Sequence, residues 1–466
     1  MTSPVLTPEA LRALARDILA MTTADTASVT VSHRATRVTR IARNRVQRLS
    51  NGETLQLEIT TAFGSKGMIA LSVNQLDPET LRAAVAYTER VAHESIGDPA
   101  LTRDAMPIPP RQYLDATCWF DTTAAALSDD RHDMVEAIVQ PMIAAKLIGA
   151  AFIGASAYST MYANKQGILA AGQSTDAELI VTGWSRPSAT SRGSSGWAGQ
   201  AARDWTKINP DAVVADTIRF ARGMAEPVAF EPGRRVAILG RPAMAQIVAT
   251  MGRYYDAAAT HAGETPLSGH KLNDKIWDER LTLSSDPNDP DGGYLPFDDR
   301  GDPRIPMTWI NRGRLENLAY GPYTAAYSGV TPANPAPESV RLGVPTNTAS
   351  TPALQTIEEM IANCKEGIYV NRVADIEIIH GRSGLLSGVT NGGCFLIRNG
   401  KIEKAVKDFR FLDSPYFFLN RLVAVGTSER TAFGYAPWHG EWPLPPTIVP
   451  PVMVRDFNFV ALADNV

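Results

Sequence analysis

The sequence predicts an α+β protein. Its N-terminal part lays helices on one face of an antiparallel sheet, and its C-terminal part is mostly antiparallel β. Three observations predict this. Residues 27–73 alternate apolar and polar positions between two segments of helical period. The composition shifts across Ala225 to Pro232, beyond which short apolar runs and turn residues dominate. Asn399-Gly400, between the runs FLIR and KIEKAV, marks a two-residue hairpin, because both central positions of a type I′ turn need φ > 0.

The elements follow in order. Thr7 to Met21 reads as a helix, with Thr7 as N-cap, Pro8 in the first turn, and Leu11, Leu14, Ile18 and Leu19 at helical spacing. Four strands follow over Ala27 to Val31, Val38 to Leu49, Leu55 to Phe63 and Gly67 to Val73. Asn51-Gly52 and Gly64-Ser65 are read as turns between them. Asp77 to Glu94 is a second helix. Residues 98–115 read as an irregular crossing, Thr123 to Lys146 as a helix, and Ile148 to Trp184 as strands. Ser185 to Gly199 is a Ser/Gly-rich loop or hairpin tip, and Asp211 to Met224 a helix. The domains are expected to be 1–225 and 226–466. In the second, Arg241 to Thr260 is the clearest helix. Thr356 to Glu366 is a later one, with Gly367 as its C′ residue. The many short strands suggest a closed or nearly closed antiparallel sheet.

Bulk properties narrow the function. With 466 residues, 44% of them hydrophobic, the chain can bury more than one core. A net charge of -4 does not suggest a phosphate-binding surface, so a nucleic-acid partner is not expected. The local exception is the arginine run Arg34, Arg37, Arg40, Arg43, Arg45 and Arg48, which reads as a solvated strand pair. No 18-residue apolar run occurs, so no membrane helix is expected. The N-terminus lacks the pattern of a secretory signal, and Cys118, Cys364 and Cys394 are too far apart for a CxxC site. A reducing, cytoplasmic setting is therefore the expectation. Cys118 and Cys364 read as core residues, and the Asp298-Asp299 pair as a turn cap. No phosphate-cradling glycine loop follows a strand.

Several segments together resemble the TldD/PmbA family. They are TRVTRIARNRVQRLS; LSGHKLNDKIWDERLTLSSDP followed by PFDDRGDP; RLGVPTNTASTPALQTIEEMIANCKEGIYV; and SGLLSGVTNGGCFLIRNGKI. The resemblance covers essentially the whole chain and rests on the order and spacing of these segments. It implies an N-terminal α+β domain and a C-terminal barrel-like antiparallel sheet around a helix. It also implies a dimer of paired subunits that encloses a cavity. One subunit type carries HExxxH on a helix, with a downstream cysteine completing a zinc site, and acts on peptides or peptide-derived substrates. The PmbA (TldE) type lacks the metal ligands.

The motif chemistry needs two imidazoles on one helix and a Glu as general base beside the metal-bound water. By alignment with the Leu267-Ser268-Gly269 turn, the motif should fall within Arg241 to Thr260, near Val248 to Arg253. That segment holds neither His nor Glu. The one His-Glu pair, His93-Glu94, has Asp98 where the second His would stand, and reads as a helix end. The chain is thus identified as a PmbA/TldE-type subunit that binds no metal itself. Zinc is expected in a TldD-like, HExxxH-bearing partner. The resemblance implies a heterodimer, with a homodimer as the alternative when the chain is alone. Candidate substrate-groove residues are His261, His270, Asn391, Gly392 and Gly393. The alternatives are a metal-independent amidase or peptidase with Cys394 as nucleophile and His380 as base, and a peptide-binding scaffold without a peptidase partner.

Overall fold

The computed structural model describes residues 3–97, 111–116, 118–127, 131–185, 195–321, 324–325, 328–329, 339–345, 353–432 and 445–463. The first helix, α1 (Pro8–Met21), begins as its cap requires, with Thr7 Oγ1 accepting the Ala10 N–H. The second, α2 (Pro78–Glu94), is capped in the same way by Asp77.

Between them run β1 (Thr26–Ala42), β2 (Arg45–Phe63) and β3 (Lys66–Val73). This is three strands where the sequence suggested four. The turn is at Arg43-Asn44, both with positive φ, whereas Asn51-Gly52 lies inside β2 opposite Thr36 and Arg37. Asn44 settles the competition through long-range bonds. Its Nδ2 donates to the Leu147 carbonyl, and its Oδ1 accepts the Gly149 N–H. The Gly64-Ser65 turn is as expected.

The remaining strands of this sheet are β4 (Ile148–Asn164), β5 (Leu169–Trp184) and β6 (Ser195–Ala202). The order β3-β2-β1-β4-β5-β6 is antiparallel throughout. β6 corrects the loop expected over Ser185 to Gly199; residues 186–194 lie outside the described residues. The helix expected over Thr123 to Lys146 is two, α3 (Asp121–Ala125) and α4 (His132–Ala144). Of the crossing expected over 98–115, residues 98–110 lie outside the described residues.

Strand alternation gives the sheet two different faces. On one, Val29, Val31, Leu57, Ile59 and Met161 pack on Leu11 and Ile18 of α1 and on Leu81 and Val85 of α2. Farther along, Ile153, Leu179 and Val181 pack on α4 and on α5 (Pro210–Gly223). The other face carries Thr30, Ser32, Arg34, Ser156, Tyr158, Thr160, Ser174 and Asp176, and lines a cleft of about 400 Å³ toward the C-terminal part.

In the C-terminal part, β7 (Gly233–Leu239), β12 (Glu366–His380), β13 (Leu385–Arg398), β15 (Phe409–Asp413) and β19 (Val452–Leu462) form a barrel. The sequence of pairings β12-β7-β19-β15-β13 is closed by β13 pairing back to β12. Only the β7–β12 contact within it is parallel. The Asn399-Gly400 turn, with φ 48° and 76°, attaches β14 (Lys401–Ala405) as expected. A second sheet joins β8 (Thr282–Ser285), β9 (Met307–Asn311), β10 (Arg314–Leu315), β11 (Val340–Gly343), β17 (Glu429–Arg430) and β18 (Thr447–Val449).

Helix α6 (Arg241–Met251) lies between the two systems, packing on β12 and on β18. It is shorter than expected. A 3₁₀ turn, Gly252–Tyr255, follows it, and Asp256 adopts extended backbone and caps a new helix, α7 (Ala257–His261), through its Oδ1. A short Asx side chain competing for backbone N–H groups is the physical cause of the break. Gly367 is not a helix cap either. The helix Ile357–Ala362, with its capping box at Thr356 and Glu359, ends at Asn363, and Gly367 already belongs to β12. A side chain at Gly367 would meet the Cys364 sulfur at 2.7 Å. Among the described residues, no helix is long and apolar enough to cross a membrane.

Candidate functional site

The site is built on β6, one of the two edge strands of the N-terminal sheet. Residues 197–203 line a cleft of about 350 Å³ without interruption. Successive side chains of a strand point to opposite faces, so a cleft lined by consecutive residues looks onto the strand's edge. The Trp197 carbonyl points that way and accepts from Asn371 Nδ2 at 2.9 Å. The same alternation turns the N–H and C=O groups of Gly199 and Ala201 into the cleft, where the described residues offer them no partner. Glu429 and Arg430 of β17, with Arg241 and Pro242 of α6, form the facing wall. Such an edge is a template for a further strand.

A buried ion cluster closes one side of the cleft. Asp176, on the polar face of β5, accepts from Arg203 Nη1 at 3.1 Å and from Arg430 Nη2 at 2.7 Å. Arg203 also donates to the Gly293 carbonyl at 2.9 Å. The cluster therefore ties the first sheet to the second and separates the β6 cleft from the 400 Å³ cleft. In that second cleft Arg34 lies over the Tyr158 ring at 4.7 Å, so the arginine run is not uniformly solvated; Arg43, Arg45 and Arg48 are exposed. Asp298 Oδ1 accepts the Arg300 and Asp302 N–H groups, which makes it a turn-former, and burial pushes its carboxyl up.

The Trp197 end of the edge is shaped by glycine. Asn391, Gly392 and Gly393 are not a free turn but an irregularity inside β13, where the register against β12 shifts. Gly392 has φ 66°, and a Cβ there would meet Trp197 Cβ at 2.7 Å. Asn371 Nδ2 donates to the Gly392 carbonyl as well as to that of Trp197, and so joins the barrel to the sheet. The groove residues expected from sequence, Asn391 to Gly393, thus lie behind one end of the β6 cleft.

Helix α6 contributes no polar ligand set. Ala243, Met244, Ala245, Ile247, Val248 and Met251 are all buried in the C-terminal core, and Thr250 Oγ1 is bonded to the Ile247 carbonyl. Gln246 is buried with them at 7% exposure, and a helix with no inward His, Cys, Asp or Glu does not fit a zinc ion.

Comparison with known proteins places this arrangement. A profile of the PmbA/TldA metallopeptidase C-terminal domain matches residues 232–461. The chain belongs to the TldD/PmbA family. A curated relative from Archaeoglobus fulgidus, named a metalloprotease, is 27% identical over 165 residues; the match spans 34% of this chain and only 37% of that relative. Among solved structures, TldE from Thermococcus kodakarensis superposes with TM-score 0.77 at 16% identity, covering 96% of this chain and 98% of its own. A Thermotoga maritima protein provisionally described as a modulator of a DNA gyrase gives TM-score 0.75 at 16% identity, covering 93% and 95%. These likenesses show that the TldD/PmbA fold spans both halves of the chain.

Within this TldD/PmbA fold the other sequence candidates stand apart. His261 and His270 are exposed: His261 sits 6.1 Å from the Tyr320 ring, and His270 Nδ1 lies 3.5 Å from Asp274. Neither lines the β6 cleft or the second cleft. Among the described residues, no group of three or more His, Cys, Asp or Glu is placed to hold a metal ion.

Cys394 is fully buried in the barrel opposite Val370, and its N–H donates to Met224 Sδ. His380 is at the far end of β12, ten residues beyond Val370, or roughly 30 Å along a strand. There its Nδ1 is bonded to Ser383. The structure does not bring this pair together.

Burial pushes the Cys394 thiol well up and moves Cys118 to about 11. A thiolate is the reactive form. The folded chain is therefore expected to take up no thiol reagent at neutral pH and three equivalents when denatured; one fast-labelling thiol in the folded chain would contradict this.

Sequence reasoning missed β6 and the Asp176 cluster. A signal existed for β6 in the aromatic and small residues of SGWAGQAA, flanked by turn residues.

Proposed function

We propose that this chain is a non-catalytic, PmbA/TldE-type subunit. It pairs with an HExxxH-bearing homologue and holds extended peptide along the free edge of β6. The observation that carries the reading is helix α6: where a catalytic subunit needs His and Glu, this chain has neither, and the helix is buried mainly through apolar side chains. The likeness to a TldE structure and to a protein named a metalloprotease supports it. The two domains we assign, 1–225 and 226–466, meet at the cleft. The first supplies the strand edge, and the second supplies the facing wall and α6. Alone, the chain forms a homodimer in this reading. Its three cysteines, buried and unpaired, suit a reducing cytoplasmic compartment.

Main-chain pairing at an edge supplies affinity with little demand on peptide sequence. Ala201→Pro removes one outward N–H without touching the β5 ladder, a position where an edge strand tolerates proline. The expected result is a folded chain that no longer binds an extended peptide by calorimetry. Undiminished binding would rule out β6 as the edge used. Metal analysis of the purified chain is expected to find no stoichiometric zinc. Tight zinc that is lost on mutating His261 or His270 would overturn the subunit reading.

A further inference from the structure

We propose that Arg372 anchors a carboxylate at the Trp197 end of the β6 groove, so that the peptide held there carries a carboxylate at its end. The inference rests on the reading of β6 as a peptide-holding edge.

The groove has a defined end. A strand added along Ala201 and Gly199 cannot continue past Trp197, because Asn371 Nδ2 already occupies the Trp197 carbonyl. An added strand therefore ends at Trp197, which lines the cleft and is itself 3% exposed. Arg372, on β12 opposite Asn391, lies over that ring with its guanidinium carbon 5.0 Å from the centroid.

Arg372 is half-buried as a residue, yet among the described residues nothing accepts a hydrogen bond from its guanidinium, and the Nε is fully buried without a partner. The arginines of the groove wall are committed elsewhere: Arg203 and Arg430 to Asp176, Arg219 to Asp216 at 2.8 Å, and Arg241 to Glu429 at 2.9 Å. The acid felt by Arg372 is Asp375, which makes no ion pair with it. Burial draws the Arg372 pKa down to about 10, so it remains a cation at neutral pH.

A desolvated cation without a partner is costly to keep. Its planar fork, held flat by an aromatic face, matches a carboxylate bidentately. A terminal carboxylate and the side chain of a final Glu offer the same chemistry.

The test uses the full chain and three probes, with binding measured by calorimetry. The probes are an N-acetylated hexapeptide of alternating Thr and Val with a free C-terminal carboxylate, the same peptide as its C-terminal amide, and an amide ending in Glu. The free acid is expected to bind at least about tenfold more tightly than the amide, as charge-assisted hydrogen bonds allow. Arg372→Gln should bring that ratio to one, and Arg372→Lys should keep part of it. If the Glu-ending amide matches the free acid, the anchor accepts a side-chain carboxylate; if it matches the plain amide, the anchor reads the terminus. Either outcome supports the anchor. Equal binding of acid and amide to the unaltered chain, or a ratio that survives Arg372→Gln, would overturn the inference and leave the groove reading intact. Absence of binding by all three probes would overturn the groove reading and the anchor with it.

Discussion

Replacing Asp408 by asparagine is expected to stabilise the chain at pH 8 and to change little at pH 4. Asp408 is half-buried next to Cys394, accepts one hydrogen bond from Thr390 Oγ1 at 2.8 Å, and has its pKa pushed up to about 6 by desolvation. A carboxyl whose folded pKa is raised binds its proton more tightly when folded. Its contribution is present below the unfolded value, near 4, and is lost as pH rises through about 6. At about 1.4 kcal/mol per unit, the ionised group costs the folded state on the order of 3 kcal/mol above pH 6. Asparagine keeps the oxygen that Thr390 needs and carries no charge. Chemical denaturation of both proteins at pH 8 and pH 4 checks this. Equal shifts at the two pH values, or a loss of stability at pH 8, would contradict the assignment.

Replacing Asp176 by alanine has the opposite sign. Asp176 is 2% exposed and is the shared partner of Arg203 and Arg430. Removing it leaves two guanidinium groups facing each other in a dry interface, and breaking a buried pair in this way costs about 3–5 kcal/mol. Arg203 directly follows β6 of the first sheet and Arg430 lies in β17 of the second, so the loss should also loosen the joint between the two sheets. The expected result is a lower denaturation midpoint, together with faster hydrogen exchange along β6 and β17. A variant as stable as the parent would show that the cluster does not hold the cleft.

What could be read from the sequence divides along physical lines. Local signals were sufficient for α1 and α2, whose caps Thr7 and Asp77 lie next to their own periodic residues. They were also sufficient for Asn399-Gly400, where the turn chemistry is complete in two residues. They failed where a distant partner decides. Asn51-Gly52 has the better turn sequence, but Arg43-Asn44 turns because Asn44 is bonded to residues 147 and 149. The Ser/Gly-rich stretch Ser185 to Gly199 reads as a loop, yet its residues from Ser195 on form a strand because β5 pairs with them. The barrel was visible only as many short strands. Its closure depends on β12 meeting both β7 and β13, far apart in the chain.

The candidate site was the least legible part. Trp197, Asn371 and Gly392 meet only in three dimensions, as do Asp176, Arg203 and Arg430, and no spacing in the sequence announces either group. Cys394 and His380 could be joined on paper because neither burial nor strand length is written locally. The barrel buries the thiol and leaves the imidazole at the other end of β12. By contrast, the absence of His and Glu from α6 was visible at once, and the structure explains how the helix is used instead, as core.

In the proposed reading, this chain supports a peptidase without supplying its metal chemistry. The most direct test is co-expression with an HExxxH-bearing homologue, purification of the complex, and a peptidase assay of each chain alone and of both together. Co-purification is expected, with no activity from this chain alone, activity of the complex that disappears when the partner's motif is mutated, and reduced activity with Ala201→Pro in this chain. Peptide hydrolysis by this chain alone, or a homologue that neither binds it nor gains activity from it, would contradict the account.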